Sequence, residues 1–274
     1  MIERNVASFD ATEIWFSDSE GDGPVVVLLH GATMTSVSNF DTYFAAVSDG
    51  RIGPMPGPTI SSLLRDRGAR VVAIDTRGHG RSGRSADPER YRGDAHARDV
   101  DSVLDALGVA EVDLVGYSMG AMTVARLLGG NRRLRSAALC GTGPGFLAGN
   151  DEGAADRLGA LGRCFQTNEW ADHPELKGMR ACARLDPVHD FDSIGAAMIG
   201  MDAVPADCFV NVQVPVLVLN GGDDDQGGDA AALAGLIPGA VAVVAGSADH
   251  NMASSDHDFQ TALVSWLQQQ WPTM

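Results

Sequence analysis

Gly116-Tyr117-Ser118-Met119-Gly120 sets a serine between two glycines. Glycines at those offsets permit a turn sharp enough to thrust the serine oxygen clear of the backbone. A hydroxyl is a weak nucleophile until a base takes its proton, so such a serine matters only with a histidine converging on it. Of seven histidines, His250 is the best placed, shortly beyond the apolar run Ala240–Ala245 and before a C-terminal helical pattern. His257 is second choice, since it falls at the start of that pattern and faces solvent. A third group must orient the imidazole, and Asp223-Asp224-Asp225 follow Gly221-Gly222 at the end of the run Val216–Asn220. The chemistry these types could perform together is acyl transfer through a serine ester. A five-residue pattern in a chain with 33 glycines also arises by chance, so its surroundings decide its meaning.

Those surroundings are short β-branched runs, each followed by a helical pattern. The runs are Val25–Leu29, Val71–Asp75, Val112–Tyr117, Ala137–Gly141, Val216–Asn220 and Ala240–Ala245. Near-continuous apolar strands belong to a parallel sheet covered on both faces. Asn5–Phe9 and Glu13–Ser17 read as an antiparallel hairpin at one edge. Ala97, Val100, Leu104 and Leu107 form a helical stripe closed by Gly108, and Phe259, Leu263, Trp266 and Leu267 form another. The expected class is α/β. The motif serine follows Val112–Tyr117 and opens the helical pattern Met119–Leu128, the strand–turn–helix of a nucleophile elbow. A helix N-terminus there favours negative charge developing on a substrate.

Two stretches break the rhythm. Residues 144–213 carry helical patterning without strands and are expected to form a helical cap over one end of the sheet. This divides the chain into a core, 1–143 and 214–274, and a cap, 144–213. Residues 48–59, rich in glycine and proline, read as a loop.

Composition narrows the partners. Thirty-six acidic against 20 basic residues give a net charge of −16, which repels phosphate backbones and anionic lipid. Nucleic acid and membrane are therefore not expected partners. Lys177, the only lysine, stands in Leu-Lys-Gly, which excludes a phosphate-cradling P-loop. The cysteines 140, 164, 182 and 208 lack metal-ligand spacing and read as free thiols of a cytoplasmic protein. No secretory leader pattern or membrane-spanning run is read from the sequence. Gly78-His79-Gly80-Arg81-Ser82-Gly83 fits a dinucleotide fingerprint, but Asp87-Pro88 follows where a helix should open, so His79 reads as holding a turn. Consecutive aspartates at 223–225 lack the alternation of a calcium loop. His96, His173 and His189 read as surface or capping residues. Arg180 and Arg184 read as a solvated face, with binding of a substrate carboxylate as the alternative.

Taken together, the chain resembles the α/β-hydrolase superfamily over nearly its whole length. His30-Gly31 after the first long run resembles that family's oxyanion-loop motif, and Asp75-Thr76-Arg77-Gly78-His79-Gly80-Arg81-Ser82 its D-x-R-G-x-G-x-S segment. The order Ser…Asp…His is the family's. The resemblance implies an α/β-hydrolase fold with a mostly parallel sheet, helices on both faces and an inserted cap. It implies Ser118 as nucleophile, His250 as base, Asp224 as acid with Asp225 as the alternative, and the backbone N–H groups of Ala32 and Met119 as the oxyanion hole. Three features depart from the family pattern: Ala121 after the elbow, Ser247-Ala248-Asp249 before the base, and the extra length of the Pro/Gly loop at 48–59. C–C bond hydrolases of the family usually carry Trp after the base, where Asn251 stands here. Serine at the elbow argues against epoxide hydrolases and haloalkane dehalogenases, and Asn251 against C–C bond hydrolases.

The expected activity is cleavage of a small to medium, largely apolar carboxylic ester or lactone, with no metal and no organic cofactor. The alternatives are a ligand receptor without multiple turnover, and an acyltransferase or cofactor-free perhydrolase. Trp170 and Met198 are expected to line the substrate pocket, or else to pack the cap onto the core.

Overall fold

The computed structural model describes residues 1–46, 52–150, 154–170, 177–184 and 186–272. The chain opens with β1 (Ile2–Ala7), β2 (Glu13–Asp18) and β3 (Val25–Leu29), then a small hairpin of β4 (Tyr43–Ala46) and β5 (Ile52–Met55). There follow α1 (Ile60–Asp66), β6 (Arg70–Ile74), α2 (Ala95–Leu107), β7 (Val112–Tyr117), α3 (Met119–Leu128) and β8 (Leu134–Cys140). Helices α4 (Ala154–Thr167), α5 (Lys177–Ala183) and α6 (Phe191–Gly200) come next. The chain finishes with β9 (Val216–Gly221), α7 (Ala230–Ala234), β10 (Val241–Ala245) and α8 (His257–Gln270).

Eight strands form one sheet in the order β1-β2-β6-β3-β7-β8-β9-β10. The β1–β2 and β2–β6 pairs are antiparallel and all later neighbours are parallel, so the expected edge hairpin and parallel body are both present. The apolar runs fill two faces by simple alternation. Val27 and Leu29 of β3 and Leu114 of β7 meet α2, α3 and α7, while Val26, Leu28 and Val115 meet α1 and α8. The edge strand β10 is less covered, with Val241 and Val244 exposed. Gly108 ends α2 in the left-handed region (φ 63°), as the stripe predicts.

The D-x-R-G segment after β6 serves the scaffold. Asp75 accepts hydrogen bonds from the Ser36 N–H and hydroxyl, tying the end of β6 to the loop after β3. Arg77 is buried and clamps Asp99 of α2 through two 2.6 Å contacts. Gly78 N–H donates to Gly83 O, so the glycine-rich stretch closes on itself and no helix opens there.

Two sequence expectations need correction. Residues 48–59 are not loop throughout, because β5 pairs with β4. Pro54 sits opposite Phe44, a position a two-stranded ribbon tolerates because an edge has unpaired N–H sites to spare. Residues 47–51 lie outside the described ones. His96 is not at the surface: it is 3% exposed, packed beside Tyr91. A polar imidazole in a helical pattern hides an inward-facing site on α2. His173 lies outside the described residues.

Between β8 and β9 the described residues form helices and short turns, with one bridge, Leu147 to Val204, linking the two ends of the excursion. Helices α4 and α6 pack closely at Gly162 and Gly195, where a Cβ on either would lie under 3 Å from the other's carbonyl oxygen.

Three buried histidines give the scaffold a pH signature. Burial pushes the pKa of His30 down to about 4 and that of His79 to about 3, and lowers that of His96 well below its usual value. In the unfolded chain each takes up a proton near pH 6.5. From there down to the folded-state values the unfolded chain binds more protons, so stability must fall with pH, by up to about 1.4 kcal/mol per unit for each histidine. Urea unfolding between pH 7.5 and pH 5 should show this decline above the range in which carboxylates titrate. A stability that is flat over that range would refute it.

Candidate active site

Ser118 joins β7 to α3 and adopts φ 52°, ψ −112°, a strained conformation for a side chain with a Cβ. The neighbours make it feasible. A Cβ on Gly120 would lie 2.1 Å from Leu29 O, and one on Gly116 would lie 2.3 Å from Gly120 O, so only glycine lets the turn press against β3. Ser118 N–H donates to Cys140 O at 2.8 Å, which extends the β7–β8 ladder to the elbow itself.

Two loops at the carboxyl end of the sheet, after β9 and β10, bring the partners in. His250 Nε2 lies 2.9 Å from Ser118 Oγ, and His250 Nδ1 lies 2.9 and 3.0 Å from the two oxygens of Asp224. A carboxylate only accepts, so the imidazole proton sits on Nδ1 and Nε2 faces the serine as acceptor. Asp224 also accepts from Gly227 N–H at 2.7 Å and Gln226 N–H at 3.1 Å. Burial raises the cost of its charge, but the hydrogen bonds and the neighbouring imidazole outweigh this and hold its pKa below the usual value. Of the two candidate acids, Asp224 makes the contact; Asp225 is exposed and stands at the rim of the adjoining cavity. His257 is exposed at the start of α8.

Tyr117 was not singled out in the sequence, yet its hydroxyl donates to His250 O at 2.5 Å and its ring lies 5.4 Å from the imidazole. No local pattern signals a contact across 133 positions. Asn39, also missed, accepts the Gly31 N–H at 2.9 Å and shapes the loop after β3.

Space opens on two sides of Ser118. A cavity of about 260 Å³ is lined by Met119, Met122, Phe146, Leu158, Leu161 and Met179, with Arg157, Asp225 and Gln226 among its polar residues. A small recess of about 20 Å³ is lined by Gly31, Ala32, Met34, Tyr117 and Asn251, and Ser118 and His250 border both. Ala32, in the loop after β3, lines the recess, and Met119, the first residue of α3, lines the larger cavity.

Trp170 and Met198 do not line the cavity, which corrects that expectation; both pack against other residues of 144–213. Trp170 is buried against Phe165 (ring centroids 4.8 Å apart), and Met198 is fully buried beside Gly162 where α6 meets α4. Large apolar size did not separate a wall residue from a packing residue. Arg180 lies over the Trp170 ring at 4.9 Å and donates to Asn168, away from the cavity, and Arg184 is exposed. His189 is half-buried and bonds Ala183 O. Cys140 and Cys208 are free thiols, the buried Cys164 thiol donates to Glu169 O, and the Cys182 side chain lies outside the described ones. Among the described residues, no group of three or more His, Cys, Asp or Glu is arranged to hold a metal ion, and no helix is long and apolar enough to cross a membrane.

Comparison with known proteins bears on the fold and the family. A non-heme chloroperoxidase of Kitasatospora aureofaciens is 33% identical over 145 residues, 52% of this chain and 45% of that protein, so the match spans under half of the relative. Among solved structures, an esterase from Exiguobacterium antarcticum superposes with a TM-score of 0.74 at 20% identity, covering 96% of this chain and 98% of the other. An enol-lactonase from Burkholderia xenovorans does so with a TM-score of 0.67 at 23% identity, covering 97% and 99%. At those identities the likeness is one of fold. Residues 24–177, more than half of the chain and including the elbow serine, match the family described as alpha/beta hydrolase fold, and the chain belongs to that family.

Proposed function

We propose that this protein is a serine hydrolase that cleaves a carboxylic ester or lactone through an acyl-enzyme. The observation that carries this reading is the continuous line Ser118 Oγ–His250 Nε2, His250 Nδ1–Asp224, ending in a largely apolar cavity. Ser118 attacks the substrate carbonyl as His250 takes its proton, and Asp224 stabilises the imidazolium in the orientation it already holds. The amides of Ala32 and Met119 receive the developing oxyanion, with the N-terminus of α3 beneath it. His250 then protonates the departing alcohol, and a water activated by the same imidazole releases the acid.

The cavity supports a small to medium apolar acyl or alcohol group, and its wall from α4 and α5 supports residues 144–213 as a cap, with 1–143 and 214–274 as the core. The relatives named chloroperoxidases favour one further reading on the same machinery. Hydrogen peroxide replaces water as the acceptor of the acyl group, giving a peracid. The free thiols of Cys140 and Cys208 and the net charge of −16 fit a cytoplasmic setting and a small-molecule substrate.

A panel of p-nitrophenyl esters and lactones of graded chain length tests the activity directly. Steady multiple turnover separates a hydrolase from a receptor that gives one stoichiometric burst, and peracid yield in added peroxide measures partitioning. Ser118→Ala should lower kcat by about 10⁶-fold, with loss of fluorophosphonate labelling, and His250→Ala should fall as far. Their double variant should be little worse than either, since the residues act as a unit. Asp224→Asn should lose roughly 10⁴-fold through the wrong imidazole tautomer, with Asp225→Asn near wild type. The reverse ranking would reassign the acid. Leu158→Ala should move the optimum toward longer acyl groups, by about 1–3 kcal/mol per methylene accommodated. An unchanged chain-length profile would place the acyl group outside this cavity.

A further inference from the structure

His79, in the glycine-rich turn after β6, is fully buried and lines neither space beside Ser118. Its Nε2 nevertheless lies 2.8 Å from Ala32 O. His30, equally buried, places Nδ1 2.8 Å from Gly31 O. These carbonyls belong to the two peptide groups that flank the Ala32 Cα. The Gly31 carbonyl shares its rigid plane with the Ala32 N–H, and the Ala32 carbonyl belongs to the next plane. Holding both oxygens fixes the direction of the Ala32 N–H. We propose that His79 is a positioning residue for the oxyanion-binding amide of Ala32, acting with His30 as a two-imidazole clamp.

The tautomers agree with this role. Thr76 N–H donates to His30 Nε2 at 3.0 Å, so the His30 proton is on Nδ1, facing Gly31 O. Burial keeps His79 neutral, with a pKa of about 3, so it has a single proton to give. Ala32 O at 2.8 Å is a closer acceptor than Arg77 O, 3.2 Å from Nδ1, and the Thr76 hydroxyl at 3.4 Å can donate to Nδ1 instead. Gly31 is further held by Asn39 Oδ1 on its N–H and by Met34 N–H on its oxygen. Donation to the Gly31 oxygen also polarises that amide and strengthens its N–H as a donor. A purely space-filling role would be met more cheaply by an apolar side chain, because a buried polar ring is costly unless its bonds are used.

The proposal rests on the hydrolase reading and on Ala32 as an oxyanion donor, and the test separates the two. His79→Leu removes the donor, whereas His79→Gln retains an N–H within reach of Ala32 O. The readouts are kcat and KM for p-nitrophenyl butyrate, and affinity for butylboronic acid, which forms a tetrahedral adduct on the serine without turnover. Loss of one oxyanion donor costs about 10²–10³-fold in kcat, and a misdirected donor should cost about 10- to 100-fold. His79→Leu should therefore lose that much in kcat and in boronate affinity together, with KM within about twofold, and His79→Gln should recover most of both. If His79→Leu does not fold, Thr76→Val, which removes the hydroxyl facing both His79 Nδ1 (3.4 Å) and His30 Nε2 (3.2 Å), should show the same paired loss at about three- to tenfold. Folded variants with wild-type boronate affinity overturn the clamp. A wild-type protein that binds the boronate but turns over no ester overturns the hydrolase reading alone, and failure to bind it overturns both.

Discussion

The site is organised around one backbone conformation, the positive φ of Ser118. A residue with a Cβ adopts it only where the surroundings leave no alternative, and here the surroundings are the sheet. The Ser118 N–H is held by Cys140 O, Gly120 lies against the carbonyl of Leu29, and α3 begins at the next residue. The elbow thus needs β3, β7 and β8 in register before it can form. The same strand ends release the loops that carry Ala32 and, one strand further along, Asp224. Fold and site are therefore one construction: the parallel body fixes a row of loop origins, and the histidine loop after β10 only has to reach across them.

The sequence exposed much of this because the relevant signals are local. Val25–Leu29 and Val112–Tyr117 announce their strands through uninterrupted β-branched and aliphatic side chains, and the elbow announces itself through two glycines that have no substitute. Asp224 was identified by position, and the structure separates it from Asp225 through the turn in which Gln226 and Gly227 donate to it. What stayed hidden depends on distant contacts. The imidazole of His96 carries no mark of burial in its own neighbourhood, and Pro54 disguises a strand because proline is usually a breaker. Trp170 and Met198 resemble wall residues in every respect except where α4 and α6 happen to meet.

The polar interior beneath the loop after β3 follows a single logic. Asp75, Ser36, His30, His79, Thr76 and Asn39 are buried, and their side chains bond backbone groups or one another. Such a network is unfavourable when half satisfied and rigid when complete. Its completeness here makes a stretch without regular secondary structure as fixed as a strand.

The helical excursion leaves the sheet at β8 and returns at β9, and those strands are hydrogen-bonded neighbours. Its two ends are therefore closed by the core, independently of what lies between them. Closing a longer or shorter loop between fixed ends changes the free energy by only about 0.6 kcal/mol per doubling of length. The segment that walls the cavity is thus an interchangeable part: it can be lengthened, shortened or replaced by descent while the core stays as it is. One restraint on that freedom is the Thr35 hydroxyl bonded to Asp186 at 2.5 Å, where the excursion touches the loop after β3; others are Arg84 on Val188 O and Arg126 on Asp202 O. A replacement that omits the Thr35 contact alters the shape of the cavity and also removes one of the fastenings of the loop that holds Ala32.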